Sequence, residues 1–198
     1  MEFNTYSSPH LPVAEDVSAM MQKVLLALVP GTACAVWLFG WGILINILLA
    51  SLAAIAAEAL VLKVRRRPVM MTLLDGSALL TAVLLALALP PLTPWWIPVV
   101  GTLFAIVVAK QLSGGLGYNP FNPAMAGYVV LLISFPLELT LWSAPGDFPG
   151  LLDTLALVIS EAARSSVKLD ALSIATPNDT NKTRHGLNET NSEIHTTH

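Results

Sequence analysis

The polar stretch LDALSIATPNDTNKTRH, residues 169–185, carries side chains that could react with reagents from solvent. Its three threonines, Thr176, Thr180 and Thr183, present hydroxyls that a modifying enzyme could reach on a solvent-facing loop. On spacing alone, however, a threonine followed by Pro177 is typical of an ordinary turn. The stretch by itself therefore predicts no reaction, and any chemical role of its threonines has to be inferred from the surrounding sequence.

Two ionisable residues interrupt apolar runs, and both could take part in ion movement. Glu58 lies near the end of one predicted membrane span and Lys110 lies near the end of another, and both ends are predicted to face the same side of the membrane. A long side chain can extend its charge to the interface, opposite charges can form a local ion pair, and intramembrane charges can line an ion path. The sequence leaves these three alternatives open.

The segment KQLSGGLGYNPFNPAMAG, residues 110–127, combines glycines with two Asn-Pro pairs. Gly114, Gly115 and Gly117 allow positive φ and close backbone approach, and each Asn-Pro pair breaks a helix. The segment is either a connecting turn or a broken stretch that lines a cavity, because irregular backbone at membrane depth must be satisfied by protein or water. We expect the broken stretch, facing a cofactor or a partner subunit.

Composition places these residues in a membrane protein. Of the 198 residues 55% are hydrophobic and 12% are charged, and the mean hydropathy is +0.68, which a soluble domain rarely reaches. The small net charge of −3 predicts no nucleic-acid partner.

The single cysteine, Cys34, lies in an apolar run and is expected to be a small buried hydrophobe. His195 and His198 lie in a polar terminus typical of solvated side chains, so no metal site is predicted.

Five apolar runs approach the length of about 20 helical residues that a bilayer requires. The predicted fold class is therefore all-α: a polytopic membrane helix bundle of about five transmembrane helices, followed by an extracytoplasmic amphipathic helix and a polar loop. Residues 1–19 lack a signal-peptide pattern and are predicted to be cytoplasmic. Asp75 is expected to cap the start of the third span. The predicted bundle covers residues 20–142, with spans at about 20–39, 43–62, 75–91, 95–112 and 122–142.

Cations predict the orientation of this bundle. Six of the ten Lys and Arg residues lie at alternate ends of the predicted spans, whereas the intervening turns FGWG and PPLTPWW contain none. The positive-inside rule assigns the charged ends to the cytoplasm, so five crossings leave residues 143–198 in the periplasm. Within that segment, the helical spacing of apolar residues over 151–162 predicts an amphipathic helix that lies on the interface or packs against the bundle. The six cations are Lys23, Lys63, Arg65, Arg66, Arg67 and Lys110.

Several blocks of the sequence resemble the D subunit of the Rnf/Rsx ion-translocating electron transport complex, a family related to the B subunit of the sodium-pumping quinone reductase. The resemblance covers about residues 7–183 and is most specific from Asp75 to Pro136. It implies a multi-pass subunit of the bacterial inner membrane, not catalytic alone, in a complex that couples ferredoxin and NAD oxidoreduction to ion movement. The blocks are SSPH, VPG, FGWG, EALVLK, DGSALLTAVLLALALPP, PWW, GTLFAIVVAKQLSGGLGYNPFNPAMAGYVVLLISFP and DALSIATP.

The resemblance further implies a covalent FMN cofactor. The attachment pattern of the family falls on Asp170, Ser173, Ala175 and Thr176. It implies that a flavin transferase joins FMN to Thr176 through the phosphate, on the periplasmic side. The implied partners are this transferase, the other subunits of the Rnf/Rsx complex and membrane lipid.

The sequence departs from the family after this loop. Members continue into a second set of spans, whereas this sequence ends in HGLNETNSEIHTTH, which contains no apolar run. We expect a truncated or frame-shifted product, or a second half supplied by another chain. Two other function classes also stay open: half of a membrane transporter or channel, favoured by the broken segment at 113–123, and a non-redox structural membrane subunit.

Overall fold

The described residues fold into a helix bundle. The computed structural model describes residues 17–115, 118, 120–146, 148–160 and 163. Within this part of the chain the predicted all-helical class is confirmed. The elements are α1 (Val17–Phe39), α2 (Trp41–Val64), α3 (Val69–Leu73), α4 (Ser77–Ala88), α5 (Trp96–Leu103) with its continuation as a π-helix (Phe104–Leu112), α6 (Pro123–Ser134), α7 (Pro136–Thr140) and α8 (Leu151–Ile159).

Two of these helices are long and apolar enough to cross a membrane. They are Ser18–Phe39 and Trp41–Val64, whereas Ser77–Ala88, Trp96–Leu112 and Pro123–Ser134 are apolar but shorter. The second long helix, α2, lies among the other helices, while the first, α1, lies at the periphery.

The peripheral position of α1 overturns one expectation. Leu26 and Trp37 are 72% and 77% exposed, and Cys34 is exposed as well. The prediction that Cys34 is buried is therefore wrong. An apolar run indicates that a helix avoids water, but it does not say whether protein, lipid or another subunit covers the helix.

Prolines determine where two of the helices end. Leu89, before Pro90, is extended (φ −91°, ψ 148°), and Phe135, before Pro136, has φ −136° and ψ 58°. A residue before proline avoids the α region because its backbone and Cβ clash with the proline ring. As a result α4 ends short of Pro90, and the run predicted as one span over 122–142 contains two helices, α6 and α7.

Small side chains bring α2 and α4 close together. Alanines recur about every four residues on the facing sides of both helices and are buried together with one isoleucine of the π-helix. Close approach through small residues is typical of helix packing in membranes, where van der Waals contact must replace the hydrophobic effect. This alanine cluster consists of Ala50, Ala54, Ala57, Ala78, Ala82, Ala86 and Ile106.

One end of the bundle is defined by two hydrogen bonds between distant segments. Ser18 Oγ donates to the carbonyl of Leu74 at 3.2 Å, and Arg65 Nη1 donates to the carbonyl of Gln111 at 2.8 Å. The start of α1 therefore contacts the connection from α3 to α4, and the residue that follows α2 contacts the end of the π-helix. This end carries the six cations that predicted the orientation.

The other end is defined by backbone contacts of the segment after α7. The amide of Gly146 donates to the carbonyl of Leu38 at 2.8 Å, and the amide of Trp95 donates to the carbonyl of Val158 at 3.1 Å. Val158 is buried in α8, which packs against α2. Of the two positions predicted for the amphipathic helix, the structure shows packing against the bundle.

Candidate functional site

A connected group of polar side chains lies inside the bundle, near the cationic end. Glu58 on α2 and Lys110 on the π-helix are 0% and 2% exposed, and Lys110 Nζ forms a salt bridge with Glu58 Oε1. An unpaired charge in such surroundings would be very costly, so each residue supplies the partner that the other needs. Of the three alternatives that the sequence left open, the structure shows the local ion pair, and neither charge extends to the surface.

Ser77 extends this ion pair toward Asp75 at the start of α4. Lys110 Nζ donates to Ser77 Oγ at 2.7 Å, and Ser77 Oγ donates to Asp75 Oδ1 at 2.6 Å. The backbone amide of Ser77 also donates to Asp75 Oδ1 at 2.8 Å, which confirms the predicted role of this carboxylate at the start of the helix. One hydroxyl thus connects the buried ammonium to a second carboxylate.

The π-helix brings a second donor to Glu58. Gln111 Nε2 donates to Glu58 Oε1 at 3.0 Å, so two consecutive residues bind the same carboxylate oxygen. The backbone carbonyl of Gln111 in turn accepts the hydrogen bond from Arg65. A π-helix has a wider turn than an α-helix, is rare, and frequently occurs at functional sites. Here it carries both side chains that bind Glu58.

Glu58 is only half satisfied by these contacts. Its Oε1 atom accepts from Lys110 and Gln111, but its Oε2 atom is buried and has no hydrogen-bond partner among the described residues. A carboxylate oxygen has about two acceptor positions, and a buried unpaired one calls for an explanation such as an ion or a function. The polar group therefore contains an open position at a charged atom.

A cavity of about 230 Å³ lies beside the polar group. It could hold several water molecules, each of which occupies about 30 Å³ in the liquid. Lys110 and Ser77 belong both to the cavity wall and to the polar group, so the cavity reaches the ion pair. The lining residues are Met21, Ser77, Leu80, Thr81, Leu84, Lys110, Asn122 and Pro123.

The glycine and Asn-Pro segment contributes to this cavity through Asn122. Its side-chain oxygen accepts the amide of Ala124 at 2.9 Å and so caps α6. Gly114 and Gly115 have φ of 113° and 100°, which confirms the predicted positive φ, while Gly117 lies outside the described residues. The cavity lining agrees with the broken stretch that was expected. That the segment faces a cofactor or a partner subunit stays a prediction.

The predicted flavin-attachment residues are not part of this geometry. Asp170, Ser173, Ala175 and Thr176 all lie outside the described residues. The buried group instead includes two residues that sequence reasoning missed, Ser77 and Gln111. The signal available in the sequence was the pair of opposite charges, Glu58 and Lys110, near the ends of two predicted spans, with Gln111 directly after Lys110.

Comparison with known proteins identifies the family. Residues 4–197 match the family described as NQR2, RnfD, RnfE. Relatives from Escherichia coli O127:H6, O1:K1 and K12 are each 52% identical to this chain over 92% of its length, and each is named as the D subunit of an ion-translocating oxidoreductase complex. The chain spans 55% of the length of these relatives. The resemblance seen in the sequence blocks is thereby confirmed, and the chain belongs to the NQR2, RnfD, RnfE family.

Proposed function

We propose that this chain is a membrane-embedded redox subunit of an ion-translocating electron transport complex that couples ferredoxin and NAD oxidoreduction to ion movement. The observation that carries the proposal is the 52% identity, over 92% of the chain, to relatives named as the D subunit of an ion-translocating oxidoreductase complex. Family membership over residues 4–197 supports it independently of any one relative. The chain would act as part of the complex and not as an enzyme on its own.

Within that role Thr176 carries FMN through a phosphoester bond. Support comes from the spacing of Asp170, Ser173, Ala175 and Thr176, which matches the attachment pattern of the family to which the chain belongs. A threonine hydroxyl can act as the oxygen nucleophile in such a bond, and the small Ala175 side chain would leave that hydroxyl accessible. Bound FMN would supply one-electron chemistry, while the protein supplies placement and electrostatics.

The proposed orientation places the flavin loop in the periplasm of a bacterial inner membrane. It is supported by the hydrogen bond between Arg65 and Gln111, which brings two of the cationic segments to one end of the bundle. Gly146, in the segment that leads toward the flavin loop, contacts the other end through Leu38. Cations concentrate on the cytoplasmic side of membrane proteins, so the Gly146 end would be periplasmic.

Exposed apolar side chains would bind lipid and the other subunits. Leu48 and Leu60 on α2 and Ile133 on α6 are all exposed although the helices around them are apolar. A large apolar surface of this kind indicates contact with membrane or protein. A flavin transferase on the periplasmic side completes the proposed set of partners.

Mass spectrometry of the flavin loop tests the proposal directly. Trypsin cleaves after Lys168 and Lys182, which isolates residues 169–182 with Thr176 and Thr180 in one peptide. When the chain is expressed together with a flavin transferase, this peptide should gain the mass of FMN less one water, and fragmentation should place it on Thr176. Expression without the transferase is the control and should give the unmodified peptide. An unmodified peptide in both cases contradicts the covalent flavin.

A further inference from the structure

We propose that the turn after α2 binds an anionic phospholipid of the cytoplasmic leaflet. This basic turn contains four exposed cations, three of them consecutive, at the end of a helix that is long and apolar enough to cross a membrane. The inference rests on the proposed membrane embedding and orientation of the chain, and it adds a ligand and the residues that would hold it. The four cations are Lys63, Arg65, Arg66 and Arg67.

The backbone of the basic turn is strained at Arg66. The amide of Arg66 donates to the carbonyl of Lys63 at 3.1 Å, and the amide of Arg67 donates to the carbonyl of Leu62 at 3.0 Å. These two bonds form the Schellman ending of a helix, in which the left-handed position usually belongs to glycine. Arg66 occupies that position with φ 53°, and among the described residues it is the one non-glycine with positive φ. An arginine that strains the backbone where glycine would not indicates a function for its side chain.

The cations of the basic turn are available to a ligand. Among the described residues, Lys63, Arg66 and Arg67 form neither an ion pair nor a side-chain hydrogen bond. Arg65 donates through Nη1 to the carbonyl of Gln111 at 2.8 Å, and its guanidinium keeps further N–H groups. Arg65 therefore anchors the turn to the π-helix, and a phosphate could bind the remaining donors without breaking an ion pair.

The carboxylates described near this end of the bundle are already bound elsewhere. Asp75 is half-buried, and its Oδ1 atom accepts from Ser77. Glu58 is buried and paired with Lys110. Lys23 on α1 has an interaction of its own, so it is left out of this surface. Within the described part of the chain, the positive charge of the basic turn is therefore not balanced by a salt bridge.

Apolar side chains flank the cations on both sides along the chain. Leu60 and Val64 on α2 are exposed, and so are Met70 on α3 and Leu74 after it. A soluble anion would cover the cations alone, whereas a phospholipid would cover both surfaces, its phosphate on the cations and its acyl chains on the apolar side chains. Clusters of four or more cations at the cytoplasmic end of a membrane helix are typical of sites for anionic lipids. The combination therefore favours an anionic phospholipid as the occupant.

Lipid binding by the full 198-residue chain tests the inference. The chain is purified in an uncharged detergent and titrated with dioleoyl phosphatidylglycerol or with dioleoyl phosphatidylcholine, and native mass spectrometry measures the bound lipid. The two lipids share their acyl chains and their phosphate but differ in the net charge of the headgroup. For the native chain we expect phosphatidylglycerol to bind at least about tenfold more tightly than phosphatidylcholine.

Arg66→Gly separates lipid binding from folding. Loss of one cation should weaken binding of phosphatidylglycerol about fivefold and leave binding of phosphatidylcholine unchanged. The same change relieves the left-handed strain, so the unfolding midpoint in phosphatidylcholine nanodiscs should stay equal or rise. Arg66→Lys keeps the charge and should keep most of the affinity. Arg164→Gln removes the same charge from the sequence after α8, so it is the matched control and should leave the preference unchanged.

Two results would overturn the inference. Equal binding of the two lipids by the native chain would reject the lipid and favour an acidic partner protein as the occupant. A preference that falls as much in Arg164→Gln as in Arg66→Gly would show that the net charge, and not this turn, attracts the lipid. If Arg66→Gly fails to fold, Arg67→Gln removes a neighbouring cation at ordinary φ and should show the same loss of about fivefold.

The flavin assay on Thr176 is independent of this test. Covalent FMN on a chain that binds the two lipids equally would reject this inference alone. An unmodified flavin loop on a chain that prefers phosphatidylglycerol would reject the flavin alone.

Discussion

Lys110 Nζ lies 2.7 Å from Ser77 Oγ, and this contact joins the π-helix to the start of α4. Because Lys110 also pairs with Glu58 on α2, three helices meet at one ammonium group. A polar contact of this kind fixes the register of helices whose alanine surfaces could otherwise slide past one another. Lys110 and Ser77, which form this contact, also line the cavity beside the polar group.

Breaking the buried pair from one side should strongly destabilise the bundle. Lys110→Ala leaves Glu58 charged and unpaired in the core, and we expect a loss of about 3–5 kcal/mol in the free energy of unfolding. The double variant Glu58→Leu, Lys110→Met removes both charges at similar volume and should lose much less. Denaturant unfolding in detergent micelles, with choline chloride as the salt, measures the free energy of unfolding of both variants. Equal losses in the single and the double variant would show that charge is not the cause.

A methyl group at Gly42 should disrupt the packing of α2 against the connection after α4. A Cβ atom at Gly42 would lie 2.0 Å from the backbone oxygen of Pro91, which cannot move away as a side chain would. Gly42→Ala should therefore cost at least about 1–3 kcal/mol of unfolding free energy. Gly31→Ala is the matched control, since no atom lies within 4 Å of its Cβ position, and it should gain about 0.5–1 kcal/mol. Equal midpoints for the two variants would contradict the close contact.

Gly115 should tolerate asparagine but not valine. Its φ of 100° is unfavourable for a β-branched residue, and because no atom lies within 4 Å of its Cβ position the effect must come from the backbone. Gly115→Val should lower electron transfer by the assembled complex, while Gly115→Asn should retain most of it. An unchanged rate in Gly115→Val would leave only the connecting-turn interpretation for this segment.

Some of this structure could be predicted from local sequence, because helices of apolar residues and their stops are local properties. The carboxylate of Asp75 at the start of α4, the positive φ of Gly114 and the all-helical class were predicted in this way. The division between α6 and α7 was missed, although the physical signal, Pro136, is in the sequence. Because the residues on both sides of Pro136 are apolar, the sequence was interpreted as one span over 122–142.

The polar group could not be predicted from local sequence because its members are far apart in the chain. Glu58 and Lys110 are 52 positions apart, and only the packing of α2 on the π-helix brings them together. The same limit explains the error at Cys34, since hydropathy does not reveal which apolar helix lies at the periphery. The flavin site is a third case: the residues around Thr176 gain meaning only from the family pattern.

Cysteine tagging should establish the orientation of the bundle. In a Cys34→Ala background, which removes the single exposed native thiol, Pro145→Cys and Met70→Cys place one thiol at each end of the bundle. Pro145 is exposed, whereas the nearby Ser143 is 3% exposed and would react poorly. A membrane-impermeant maleimide added to intact cells should label position 145 and not position 70. Labelling at position 70 alone would reverse the orientation and remove the basis for a periplasmic flavin.

The most direct test of the central claim is in-gel flavin fluorescence of Thr176→Val beside Thr180→Val, each expressed with a flavin transferase. Valine keeps the shape of threonine but lacks the hydroxyl oxygen that a phosphoester requires. We expect Thr176→Val to lose the fluorescent band while its amount in the membrane stays normal, and Thr180→Val to keep the band. A fluorescent Thr176→Val, or a band lost only in Thr180→Val, would contradict the assignment of the flavin to Thr176.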